Sequence, residues 1–118
     1  MSTAFATFAG HIDDVDPRAT VEIAPQRNEA AARELADQMP YSHQFGINEI
    51  GKEDVVAHKV TDRIGANWGR VNGVVVLKDT AGTYLAVIGD IVGVDTMTVQ
   101  FANGRRMPVG RIVAIGMD

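Results

Sequence analysis

Cysteine is absent from this 118-residue chain. No disulfide can staple it, and it offers no thiolate as a nucleophile or as a ligand for zinc or an iron–sulfur cluster. Serine is almost absent. Ser2 and Ser42 stand alone, and neither sits in the G-x-S-x-G turn that presents a hydrolase nucleophile. Long apolar runs are missing too, so no stretch approaches the roughly 18 residues that cross a bilayer as a helix. The opening MSTAFATFAGHIDD lacks a basic segment and turns acidic after Gly10, which reads as mature chain rather than a secretory leader. Basic side chains are outnumbered, 11 Lys and Arg against 15 Asp and Glu. The imbalance lies in residues 1–60, with five basic against ten acidic side chains, while residues 61–118 hold six against five. A net charge of −4 supplies no strongly basic face for duplex nucleic acid. A cytoplasmic or virion location is expected.

What is present is a hydrophobic fraction of 46%, ordinary for a folded domain of this length. Residues 3–12, TAFATFAGHI, suit a strand or an extended arm, with Phe5 and Phe8 as its aromatics. Asp13 to Pro17 reads as a turn, and Thr20 to Ala24 alternates as a short half-buried strand. Pro25 to Met39 is a helix by its alanines and by the i, i+4, i+8 stripe of Ala31, Leu35 and Met39, with Ala32 and Ala36 beside it. Pro25 suits its first position, or Asn28 its N-cap, and Glu29, Arg33 and Asp37 form i,i+4 neighbours on the wet side. Val55 to Thr61, VVAHKVT, is β-branched and reads as a strand, with His58 sharing a face with Val56 and Val60. Residues 64–73, with three glycines, read as a loop around Trp68.

From Gly73 the alternation sharpens. Val74–Lys78 reads as a strand covered on both faces, and Asp79–Gly82 as a turn. Tyr84–Val92 reads as a long strand with a bulge at Gly89. Met97, Val99 and Phe101 alternate with polar neighbours, and Asn103-Gly104 predicts a two-residue hairpin turn. Arg105–Met107 returns, Val109–Arg111 reads as one 3₁₀ turn, and Ile112–Ile115 as a closing strand. Three segments, Gly82–Val87, Thr98–Gly104 and Pro108–Ile112, give this part a resemblance to SH3-like barrels of the Tudor and KOW kind. The resemblance implies a β-rich α+β fold: a small SH3-like β-barrel over residues 73–118, with an N-terminal arm and a strand–helix–strand elaboration over 1–72. Such barrels bind peptides, modified side chains, RNA or other subunits, so the fold does not supply the function. The aromatic cage of the methyl-reading members has no counterpart in Tyr84 and Phe101 alone.

Few side chains suggest chemistry. His11 to Asp16 gathers an imidazole and three carboxylates, but Arg18 and Ala19 stand where an EF-hand needs a ligand and a glycine, so it reads as a solvated turn. His43, Glu49 and His58 are the remaining acid–base or metal candidates for a small enzyme, without a known ligand spacing. Arg70, Lys78, Arg105, Arg106 and Arg111 form a candidate basic patch for single-stranded nucleic acid. With no nucleophile, cofactor loop or metal signature, the sequence points to a non-enzymatic interaction or assembly module. It needs no cofactor or membrane and takes as partner another protein or further copies of itself. Phe5, Phe8, Tyr41, Trp68 and Tyr84 are its candidate contact residues.

Overall fold

The computed structural model describes residues 15–50, 52–66, 70–95 and 97–118. They form a β-rich domain: one seven-stranded antiparallel sheet with two helices. In chain order the elements are β1 (Glu22–Pro25), α1 (Glu29–Asp37), β2 (Tyr41–Gln44), α2 (Glu53–Ala66), β3 (Val71–Lys78), β4 (Tyr84–Val94), β5 (Thr98–Phe101) and β6 (Arg106–Pro108). A 3₁₀ turn over Val109–Arg111 then leads into β7 (Ile112–Met117). The sheet runs β2-β7-β3-β4-β5-β6, and β1 pairs with the stretch of β4 that β5 leaves open.

The centre of this sheet explains its sequence. Val74, Val75, Val76 and Leu77 are all buried, because both faces of β3 are covered. On one face Val75, Leu77, Val87, Ile91, Ile112 and Ile115 pack with Val99, Phe101, Phe45 and Val60 of α2. On the other, Val74, Val76, Ala86, Val113 and Ala114 meet Ala32 and Ala36 of α1. Alanine on that helix lets the backbones come close. A Cβ added at Gly116 of β7 would lie 2.3 Å from the Ala36 carbonyl oxygen. The helix begins at Asn28, whose side chain accepts the Ala31 N–H at 2.8 Å. Pro25 stands instead at the end of β1, where it takes no helical position.

The β3–β4 and β5–β6 hairpins turn in the same way. The Gly82 N–H donates to the Asp79 carbonyl at 3.1 Å, and the Gly104 N–H to that of Phe101 at 2.9 Å. Each glycine is left-handed, at φ +88° and +93°. Asn103-Gly104 is therefore the second half of a four-residue turn closed by a left-handed glycine, not a two-residue turn.

Three further expectations are corrected. Val55–Thr61 is not a strand but the middle of α2, whose Val60 seals the core. The bulge in β4 lies between Ile91 and Gly93, while Gly89 stays in register with Gly73. Gly89 is there for a close approach: a Cβ would lie 2.9 Å from the Thr20 carbonyl oxygen. Met97 is not core with Val99 and Phe101 but 63% exposed in the turn before β5, and Gln100, expected on the wet face, is buried.

Helix α1 already touches β7 at Gly116. Gly116→Ala is expected to destabilise the domain by roughly 1–3 kcal/mol, the cost of overpacking a close contact. Gly110→Ala, with nothing within 4 Å of the added carbon, is the neutral control. Urea unfolding of both variants checks this.

Candidate functional site

Where β2 ends and the chain crosses towards α2, an open groove of about 670 Å³ lies against α1. Glu29, Arg33, Gln44, Phe45, Gly46, Ile47 and Ile50 line it. Its polar wall is built on Arg33. The Arg33 Nε donates to Glu29 at 2.8 Å, and Nη1 donates to the carbonyl of Val113 at 2.9 Å, to Gln44 Oε1 at 3.2 Å and to the Phe45 carbonyl at 3.3 Å. Gln44 returns a bond from Nε2 to the Arg33 carbonyl at 3.0 Å. Arg33 is thus not simply on the wet side of its helix: it ties α1 to β2 and β7 through carbonyl groups that face the helix. Glu29 also accepts the Tyr84 hydroxyl at 3.1 Å. The Arg33 guanidinium, with help from that hydroxyl, holds the Glu29 carboxyl below the usual glutamate range.

The apolar wall is a tight turn. The N–H groups of Glu49 and Ile50 donate to the Gly46 carbonyl, at 2.8 and 3.0 Å. The Glu49 carboxylate closes the turn by accepting the Gly46 N–H at 3.0 Å and facing His43 Nε2 at 3.3 Å from both oxygens. The His43 ring meets Phe45 edge-on, with centroids 4.5 Å apart. This scaffold leaves Ile47 91% exposed and Ile50 37% exposed beside the groove.

The sequence candidates are distributed as follows. Tyr41 is half-buried against the core, and Tyr84 is half-exposed beside the groove with the Lys78 ammonium 5.7 Å from its ring centre. Phe5, Phe8 and Trp68 lie outside the described residues. His43 and Glu49 meet, but His58 does not join them: it stands on α2, 74% exposed, and pairs with Asp62 at 3.3 Å. Among the described residues no three His, Asp or Glu gather as a metal set. The basic residues do not form one patch. Arg70 pairs with Asp90 at 2.7 Å, level with the β5–β6 hairpin that carries Arg105 and Arg106. Lys78 and Arg111 lie at the far end of β3, six residues away, or about 20 Å along a strand. Sequence reading missed the groove residues Arg33, Gln44, Ile47 and Ile50. The apolar Ile47 and Ile50 flanking a polar Asn-Glu pair were the available signal.

Two measurements check the site. Arg33→Met keeps the apolar stem but withdraws the donor shared by Gln44 and the Phe45 and Val113 carbonyls, of which Val113 keeps the Phe45 N–H, and should lower stability by about 2 kcal/mol in urea unfolding. The Gly46 N–H, more than the imidazole, holds the Glu49 carboxyl below the usual range. A depressed carboxyl adds stability that is complete above the ordinary glutamate pKa and lost as pH falls through the lower folded value. In a carboxyl-carbon NMR titration Glu49 should titrate below the ordinary glutamate range, and should still do so in His43→Ala. A return to the ordinary value in that variant would make the imidazole the cause. Comparison with protein-family models, with curated proteins and with solved structures finds no match to this chain.

Proposed function

We propose that this chain is a non-enzymatic protein–protein interaction or assembly module. Its contact surface is the outer edge of β2 with the Ile47–Ile50 turn beside it. The reading rests on one contrast among the strands with an open side. β1 carries Glu22 and Pro25, and β6 carries Arg106 and Pro108, charges and prolines that discourage strand addition. β2 reads Tyr-Ser-His-Gln, with no Lys, Arg, Asp, Glu or Pro.

The geometry of β2 supports the same reading. The Phe45 N–H donates to the Val113 carbonyl at 2.9 Å, which makes 45 and 113 a hydrogen-bonded pair. Antiparallel ladders alternate, so His43 and Tyr41 also bond inward to β7. The backbone groups of Ser42 and Gln44 then point outward, towards a strand that another chain would supply. Meander strands β3 to β6 and the 3₁₀ turn before β7 favour an SH3-like arrangement, a scaffold that carries such surfaces on its rim. Among the described residues no three His, Asp or Glu gather at the groove.

Extended peptides selected from a random library should bind this edge. On binding they should protect the Ser42 and Gln44 amides from hydrogen exchange. Ile47→Asp should weaken binding roughly 10- to 100-fold, the loss expected for one buried isoleucine. A library that yields no binder, or binders indifferent to Ile47→Asp, would overturn the proposal.

A further inference from the structure

The geometry points to a second copy of this chain as the occupant of the β2 edge, paired about a two-fold axis through His43. This rests on the reading of β2 as a contact edge and goes further by naming the strand that completes it. Three observations carry it. The first is charge. Antiparallel self-pairing brings a strand against its own sequence, so Glu22 of β1 or Arg106 of β6 would meet its own charge across or near the axis. The Tyr-Ser-His-Gln of β2 brings no carboxylate, guanidinium or ammonium to the seam.

The second is register. Only Ser42 and Gln44 direct their backbone groups outward, because their neighbours are committed to β7. Pairing Ser42 with the second copy's Gln44, and the reverse, uses all of these groups and forms four backbone hydrogen bonds. Pairing Ser42 with Ser42, or Gln44 with Gln44, forms two. The better register sets His43 opposite the second copy's His43 as a non-hydrogen-bonded pair, with Cα atoms about 4.5 Å apart. Each imidazole remains held by its own Glu49.

The third is the fate of the exposed apolar turn. In the register that pairs 42 with 44, the turn that follows β2 lies beside residues 39 and 40 of the other chain, which precede its β2. Ile47, 91% exposed, is thereby carried towards the second copy's Met39 and Pro40, which are half-buried and exposed. Two-fold symmetry repeats this contact at both ends of the three-residue ladder. The most exposed large apolar side chain among the described residues gains an apolar partner.

The absence of cysteine makes the test specific, since any disulfide must come from the residue introduced. At position 43 the two Cα atoms fall within the 4.4–6.8 Å that a disulfide accepts. At position 47 they lie in the turns at opposite ends of the seam, well outside that range. With oxidised glutathione, His43→Cys should form covalent dimer at least tenfold faster than Ile47→Cys, although residue 47 is the more exposed. In sedimentation at up to about 1 mM protein, the wild-type mass should rise from 12.7 kDa towards twice that value. Ser42→Pro, which removes an outward N–H and no bond to β7, should stay monomeric, as should the surface change Ile47→Asp. Faster cross-linking at 47, a wild-type protein monomeric throughout, or folded Ser42→Pro and Ile47→Asp variants that both dimerise would overturn the inference. A monomeric wild type that still binds library peptides at β2 would overturn the second copy alone; one that binds none would overturn the contact edge as well.

Discussion

The close approach of α1 to β7 is the constraint on which the rest of the structure depends. A helix can rest this near a strand only where neither brings bulk, and Ala32 and Ala36 meet Gly116 there. So thin an apolar contact contributes little area. It is supplemented by Arg33, which spans from the helix to the carbonyls of Phe45 and Val113. The arrangement fixes β2 as well, because the chain leaving α1 has only Gln38, Met39 and Pro40 before it must pair with β7.

From this follows the asymmetry of the sheet's rims. β1 is confined to the part of β4 that β5 leaves open, and β6 is a three-residue strand leading into the 3₁₀ turn. β2 is held by α1 and β7 and has no strand on its outer side among the described residues. The turn that follows it is stiffened by Glu49 rather than by burial, so its isoleucines remain at the surface. A rigid backbone edge beside exposed apolar side chains is what an incoming strand requires, since little ordering entropy is lost on binding.

The chemistry-bearing side chains resolve into structural duties. His43 and Glu49 close a turn, His58 and Asp62 form an exposed helical pair, and Arg70 answers Asp90 beside Asn72. Surface pairs of this kind contribute little to stability. Their value here is positional: Glu49 sets the direction of Ile47, and Arg33 with Glu29 sets the wall of the groove.

The sequence by itself determined the elements whose signal is local. The alanine stripe of α1, the glycines of the turns at 82 and 104, the apolar run of β3 and the 3₁₀ turn before β7 each carry their signal within a few residues of sequence. Only the tertiary structure decided the rest. Val55–Thr61 has strand propensity, yet it is helical because Val60 fills the core on that face; the spacing of Val56, Val60 and Ile64 carried the helical period over a longer window. Tyr41–Gln44 has no apolar period and becomes a strand because β7 offers it a ladder. The groove was illegible for the same reason. Arg33, Gln44 and Ile47 come together only when α1 settles on Gly116, a contact 80 residues distant in the chain, and no local pattern records which residues such a contact will leave at the rim.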